Sequence, residues 1–389
     1  MTIDGTIQLG QGTGPLRGIK VVEIAGIGPS PHACMILADL GADVIRIERP
    51  GGQMLTGGGT DLLNRGRPSV AMNLKDPAAV ATVLDLVEGA DVLVEGMRPG
   101  VTERMGIGPE ECLARNPKLV YARMTGWGQS GPFAQVAGHD MNYIAITGTL
   151  HGLGQDKARP HFPANLVGDF GGGSTYLVMG ILAALLESRT SGQGQVVDAA
   201  IVDGTAHLNA MTAAFVAGGG FHETRASNLL DGGVPYYDIY ETSDGKHMSV
   251  GSLEPQFYEE FVDLLGIRES APDRFDPAKA DELRQIITEK FASRTQAEWV
   301  EVFEGTDACV AGIIPMSEAF EHPHMKAREV FVEHEGITQP APAPRFSRTE
   351  ATLGLPPAPK AGAHTREALA AWGVGNVDEL LESGAAVQA

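Results

Sequence analysis

Short apolar, β-branched runs recur between Ile19 and Ile201, separated by helix-length segments that Gly and Pro punctuate. Ile19–Ile24 (IKVVEI), Ala42–Glu48 (ADVIRIE), Asp91–Glu95 (DVLVE), Leu119–Met124 (LVYARM) and Gln195–Ile201 (QVVDAAI) read as strands. Runs that are apolar at successive positions have no face to give to water, so they belong in a sheet covered on both sides. A stretch ending near Leu40, then Pro77–Val87, Pro109–Arg115 and Tyr176–Glu187, read as the intervening helices. Strand–helix alternation of this kind requires parallel crossovers, so the expected fold is α/β: a large doubly wound, Rossmann-like parallel sheet.

The texture changes after Gly218-Gly219-Gly220. Tyr236–Glu241 and His247–Gly251 alternate around Ser243-Asp244-Gly245-Lys246, a hairpin pattern. Helical segments follow at Gln256–Leu265, Ala280–Phe291 and Gln296–Phe303, which predicts a smaller α+β domain. Proline-rich Gln339–Ser347 reads as extended linker, and a last helix is expected near Thr365–Trp372.

Charge narrows the partners. With 29 Lys and Arg against 49 Asp and Glu, the 389-residue chain carries −20 and lacks the basic footprint that nucleic acid needs. No stretch of 18 uninterrupted apolar residues predicts a membrane span. The opening MTIDGTIQLGQGTG has neither a basic start nor an apolar core; it reads as a loose polar arm, not a signal peptide. Cys34, Cys112 and Cys309 are odd in number and far apart, which predicts no metal site or disulfide framework and fits a reducing cytoplasm. The turn Gly26-Ile27-Gly28-Pro29-Ser30-Pro31 departs from the dinucleotide-binding pattern, because prolines occupy its flexible places.

The chemistry is expected between Ala137 and Ser174, AGHDMNYIAITGTLHGLGQDKARPHFPANLVGDFGGGS. His139-Asp140 opens the stretch, and Asp169 stands before Phe170-Gly171-Gly172-Gly173. The apolar run from Tyr176 looks helical, which would place Asp169 at or just before a helix N-terminus with unpaired N–H groups. A base, an acid and a set of N–H donors are what proton transfer beside a carbonyl requires. Taken singly, a histidine is more often structural, and an aspartate before glycines is more often a cap.

Several stretches together resemble CoA-transferase family III: Leu16–Pro50, Glu95–Glu111, RMTGWGQSGP (Arg123–Pro132), AGHDMNYIAITG (Ala137–Gly148), NLVGDFGGGS (Asn165–Ser174) and GQGQVVDAAIVDG (Gly192–Gly204). Later segments, LLDGGVPYYDIY (Leu229–Tyr240) and LEPQFY (Leu253–Tyr258), fit as well. Transferases of this family usually have a tyrosine before the aspartate and then Q-A-x-S-G. Here Gly138-His139-Asp140 and Ile144–Gly148 stand in those places, which looks like the family's racemase branch.

The resemblance implies interconversion of (R)- and (S)-2-methylacyl-CoA through an enolate, with His139 and Asp169 as the two bases and Glu254, from this or the partner subunit, orienting the imidazole. Asp140, Gly171 and Gly172 would support the enolate or the bases. Arg46, Lys75, Arg98, Arg104 and Arg123 are the basic set expected to meet CoA; His32 would pack or line its channel, and Tyr237 and Asp238 would shape the acyl end. No cofactor is expected, since coenzyme A is part of the substrate. The alternative is a family III CoA-transferase with Asp169 as nucleophile. Members of the family form interlaced homodimers, which implies a discontinuous large domain, 1–220 with 335–389, and a small one, 221–334.

Overall fold

The computed structural model describes residues 2–3, 6–52 and 60–389, which form two compact units. The larger comprises Met1–Thr147, Pro163–Leu208 and His324–Ala389; the smaller comprises Gly148–Phe162 and Asn209–Pro323. Against the division expected at 220/221 and 334/335, the smaller unit begins earlier, ends earlier and takes in the segment between the two candidate bases.

In the larger unit the sheet runs Ala386–Val387, Ser69–Met72, Asp43–Glu48, Lys20–Ile24, Val92–Glu95, Val120–Thr125, Gln195–Ala200. Neighbours are parallel except the C-terminal strand, which is antiparallel to Ser69–Met72. Successive side chains go to opposite faces. Val22, Ile24, Ile45, Ile47, Leu93 and Tyr121 pack with Val83, Leu86 and Val87 of the helix Pro77–Glu88. Val21, Val44, Val92, Val94 and Val120 pack with Leu37 of Pro29–Asp39 and with Leu177 and Ile181 of Thr175–Ser191. The first strand lies mid-sheet and later strands are added on one side, then on the other. The order therefore reverses between Lys20–Ile24 and Val92–Glu95, and ligands of such sheets bind beyond the carboxyl ends of strands at that point.

Two sequence expectations change here. The described part of the N-terminal arm is not loose: Ile7 is buried, Gly10 N–H donates to Asp43 Oδ2 at 2.7 Å, and the Thr13 and Thr352 hydroxyls lie 2.7 Å apart. Met1, Asp4 and Gly5 fall outside the described residues. Part of the expected linker is strand, Ile337–Pro340 pairing with Phe331–His334, and Gln339 is buried and accepts from Arg65 at 2.9 Å. The helical run Leu166–Ser191, 26 residues with mean hydropathy 1.4, is long and apolar enough to cross a membrane, but its Leu177, Val178, Ile181 and Leu185 are buried in the sheet's core.

The smaller unit holds a three-stranded antiparallel sheet, Val310–Ile313, His247–Gly251, Tyr237–Glu241. Helices Pro255–Leu265, Ala280–Phe291 and Gln296–Phe303 supply its aromatic core of Phe261, Phe291, Trp299 and Phe303. Buried Arg225 ties the inserted segment down by donating to the carbonyls of His151, Asp156 and Lys157 at 2.8, 2.9 and 2.9 Å.

Candidate active site

Two loops leave the sheet at the reversal. They touch because both are glycine there: a methyl placed on Gly26 would lie 3.9 Å from Gly96 Cα. Gly28, at φ 66°, then starts the helix Pro29–Asp39, and a methyl on it would lie 3.2 Å from Asp169 Oδ2. This positive φ favours glycine. The Asp169 carboxyl therefore sits against the first loop past the sheet.

Asp169 stands in the first turn of the helical run Leu166–Ser191, which begins ten residues before the apolar stretch from Tyr176. It lies within a π-helical turn, Leu166–Ser174, that continues into Thr175–Ser191. Bonds in such a turn reach five residues, so the N–H groups of Gly171 and Gly172 enter the ladder and are not the free donors expected of them. The glycines act in packing. A methyl on Gly172 would lie 2.6 Å from the Thr205 nitrogen, and one on Gly204 would run into the Gly172 carbonyl, so the turn and the helix Ile201–Leu208 meet backbone to backbone.

Asp140 binds the two halves of the motif together. It begins the helix Asp140–Ile146, of which His139 is the exposed N-cap. Buried Asp140 accepts the Asp169 N–H on Oδ1 at 2.6 Å, while among the described residues its Oδ2 has no hydrogen-bond partner. Asn165 Nδ2 donates to the Asp169 carboxylate at 3.2 Å. Burial, then the charge of Asp140, push the Asp169 carboxyl above the ordinary carboxylate range, against Asn165 and the charge of His139. Burial likewise raises Asp140, opposed by N–H bonds from Asp169 and Gly168.

His32 lies beside this turn: its Nδ1 is 2.7 Å from Ser174 Oγ, and its ring packs at a tilt of 34° on Phe170 with centroids 4.4 Å apart. Burial, followed by the charges of Arg65 and Arg67, lowers its pKa to about 4. Neutral near pH 7, it packs against this turn.

The basic set divides. Arg46 is buried against Glu23, with Glu48 3.7 Å away, and Arg123 is buried between Glu95 and Glu103, each at 2.8 Å. These two guanidiniums neutralise the buried strand carboxylates of Glu23 and Glu95, and Arg123 also reaches exposed Glu103 on the helix Val101–Met105. Lys75, Arg98 and Arg104 are exposed, and all three follow the carboxyl ends of strands. Arg98 lies on the loop at the reversal, close enough for its charge to act on Tyr143.

Glu254 is exposed in the smaller unit, as N-cap of Pro255–Leu265. Asp238, also in that unit, pairs with Arg284. Asn165 had been given no role in the sequence; its signal was the four-residue spacing to Asp169, which puts both on one side of a helical turn.

Comparison with known proteins gives these elements a context. Residues 16–365 match CoA-transferase family III. The chain is 42% identical over 369 residues to the α-methylacyl-CoA racemase of Mus musculus, covering 94% of this chain and 95% of that one. It is 39% identical over 377 residues to the α-methylacyl-CoA racemase of Homo sapiens, covering 95% and 98%. Among solved structures, a CAIB/BAIF family protein from Brucella suis superimposes with a TM-score of 0.78 at 26% identity, covering 92% of this chain and all of that one.

Proposed function

We propose that this chain, which belongs to CoA-transferase family III, is a racemase that interconverts (R)- and (S)-2-methylacyl-CoA. The observation that carries the reading is the 2.6 Å bond from Asp169 N–H to Asp140, which draws an imidazole-bearing residue and a half-buried carboxylate together where the strand order reverses. His139 and Asp169 are the two bases. One removes the C2 proton of the thioester, negative charge gathers on the thioester oxygen, and the conjugate acid of the other returns a proton to the opposite face. The N–H groups of Asp140 and Met141, which open the helix Asp140–Ile146, take the stabilising role first expected of Gly171 and Gly172. Glu254, of this or the partner subunit, orients the imidazole. Arg98, with Lys75 and Arg104, meets the CoA phosphates, and Tyr237 and Asp238 shape the acyl end.

The reaction is redox-neutral and its proton count closes, so it calls for no cofactor beyond the CoA that the substrate carries. The reading includes a homodimer: the apolar helix Ala210–Ala217 has no buried residue, and Met211, Phe215 and Val216 are exposed. A second copy would cover it. A cytoplasmic place in lipid metabolism agrees with the buried free thiols of Cys34 and Cys112.

Incubation of one pure 2-methylacyl-CoA enantiomer in deuterated water, with no acceptor acid, is expected to give deuterium at C2 and a racemic product. Transfer of CoA to an added carboxylate without C2 exchange would establish the transferase alternative, with Asp169 as nucleophile.

The pH profile follows from the carboxylate pair. For the enantiomer whose proton Asp169 removes, Asp169 works deprotonated, so its raised pKa sets the acid limb of kcat/KM in that direction above the ordinary aspartate range. Asp140→Asn removes one of the charges that raise it while keeping an acceptor oxygen. The limb is expected to move to lower pH; a limb that stays or moves up contradicts this coupling.

A further inference from the structure

We infer that Asn142 and Tyr143 are positioning residues for the His139 imidazole, holding the peptide units on both sides of its Cα. The inference rests on the racemase reading. A peptide unit is planar, with its C=O and N–H pointing opposite ways, so gripping both ends fixes its plane. The unit between Gly138 and His139 is gripped in this way: its oxygen accepts the Tyr143 hydroxyl, and its N–H donates to Asn142 Oδ1 at 3.1 Å. The unit after His139 is held by the same two residues, whose backbone N–H groups donate to the His139 carbonyl at 2.8 and 3.2 Å. With both flanking planes set, the Cα–Cβ direction of His139 is set too, and only side-chain torsions remain to aim the ring.

The Tyr143 ring is itself walled in. Trp127 meets it edge-on, with centroids 4.7 Å apart at 84°. A methyl on Gly138 would lie 2.7 Å from Tyr143 Cε1 and 3.0 Å from Trp127 Cζ2, and one on Gly126 would collide with the Tyr143 ring. The loop from Gly126 to Gly138 thus closes over this tyrosine only because glycine stands at both ends. Burial first, and then the charge of Asp169, push the Tyr143 phenol above its ordinary range, so it stays a hydroxyl donor.

Helix capping alone does not explain the arrangement. Two of the four bonds are the helix's own first-turn bonds to the His139 carbonyl, and the Asn142–His139 pair belongs to a capping box, but the Tyr143 hydroxyl on the Gly138 carbonyl belongs to neither, and histidine is not among the favoured N-cap residues. Accurate aim of a base is a better reason, since a displacement of about 1 Å can cost about a hundredfold in rate.

The test uses the full chain with Tyr143→Phe, Asn142→Ala and the acceptor-retaining Asn142→Asp. Inversion of each pure enantiomer and C2 exchange with retention in deuterated water are measured side by side. Tyr143→Phe and Asn142→Ala are each expected to slow inversion about tenfold with KM within about twofold, the signature of lost aim rather than lost binding. Exchange of the enantiomer whose proton Asp169 removes should hold at its wild-type rate, and Asn142→Asp should restore most of the inversion. In a His139→Gln background, Tyr143→Phe should have no further effect. Parallel loss of exchange from both enantiomers, unimpaired inversion, or an undiminished effect in the His139→Gln background would overturn the inference. Absence of C2 exchange in the wild type would instead overturn the racemase reading, and the clamp with it.

Discussion

His139→Ala and Asp169→Asn are each expected to cut racemisation by about a thousandfold or more, because each removes one of two groups that must act in every turnover. The fold should survive both. His139 is exposed, so truncating it opens no cavity. Asp169→Asn keeps the shape and an oxygen for Asn165, which donates to this side chain at 3.2 Å. It also removes a charge whose burial is unfavourable, as the raised pKa records. Thermal or denaturant unfolding should therefore leave both variants as stable as the parent, or Asp169→Asn slightly more so. A variant that keeps more than about a tenth of the activity is not missing a catalytic base.

The second large effect concerns the backbone that carries Asp169. Gly172→Val should destabilise the protein by roughly 3 kcal/mol or more, at the upper end for overpacking a closed interface. The site has no room: even a methyl at Gly172 would lie 2.6 Å from the Thr205 nitrogen, and Gly204 faces the Gly172 carbonyl from the other helix. Neither neighbour is a flexible side-chain tip that could swing away. The turn must then shift as a body, taking Asp169 with it, so activity should fall even where the variant stays folded. A denaturant midpoint corresponding to less than about 1 kcal/mol would mean that the two helices do not pack backbone to backbone.

The parts of the fold legible in the sequence are those fixed by local pattern. The strands Lys20–Ile24, Asp43–Glu48, Val92–Glu95 and Val120–Thr125 lie within a residue or so of the apolar runs that announced them, because a strand buried on both faces is mostly apolar; Gln195–Ala200 also falls where expected, but as an edge strand exposed over its first four residues save a half-buried Val197. The helices Ala280–Phe291 and Gln296–Phe303 fall where expected; Thr295 and Glu298 form a capping box that marks the second start.

What the sequence concealed depends on packing. Glycines at 171–173 read as a break before a helix, whereas against the helix Ile201–Leu208 they permit a π-turn that no isolated segment would favour. That second helix was itself hidden, since Ile201 looked like the end of a strand. The segment Gly148–Phe162 belongs to the smaller unit through a distant arginine, Arg225, and nothing local marks it. Arg46 and Arg123 looked like ligands for phosphate. Their position offered a warning: an arginine inside a strand apolar on both sides must find an internal carboxylate, and Glu23, Glu48 and Glu95 stood at strand ends to supply it.

For the candidate site, the motif located His139, Asp140 and Asp169 but not how they meet. The bond from Asp169 N–H to Asp140 joins residues 29 positions apart and follows from the π-turn. The grip of Asn142 and Tyr143 on His139 depends on a helix, Asp140–Ile146, too short to stand out by periodicity.

The central claim is that two different bases face opposite sides of one carbon. Solvent-deuterium exchange at C2, followed for each pure enantiomer with His139→Gln and with Asp169→Asn, tests it most directly. Each variant should still exchange one enantiomer and fail on the other, with the surviving enantiomer opposite in the two proteins. Loss of the same enantiomer in both, or continued inversion by either at the wild-type rate, would contradict the account.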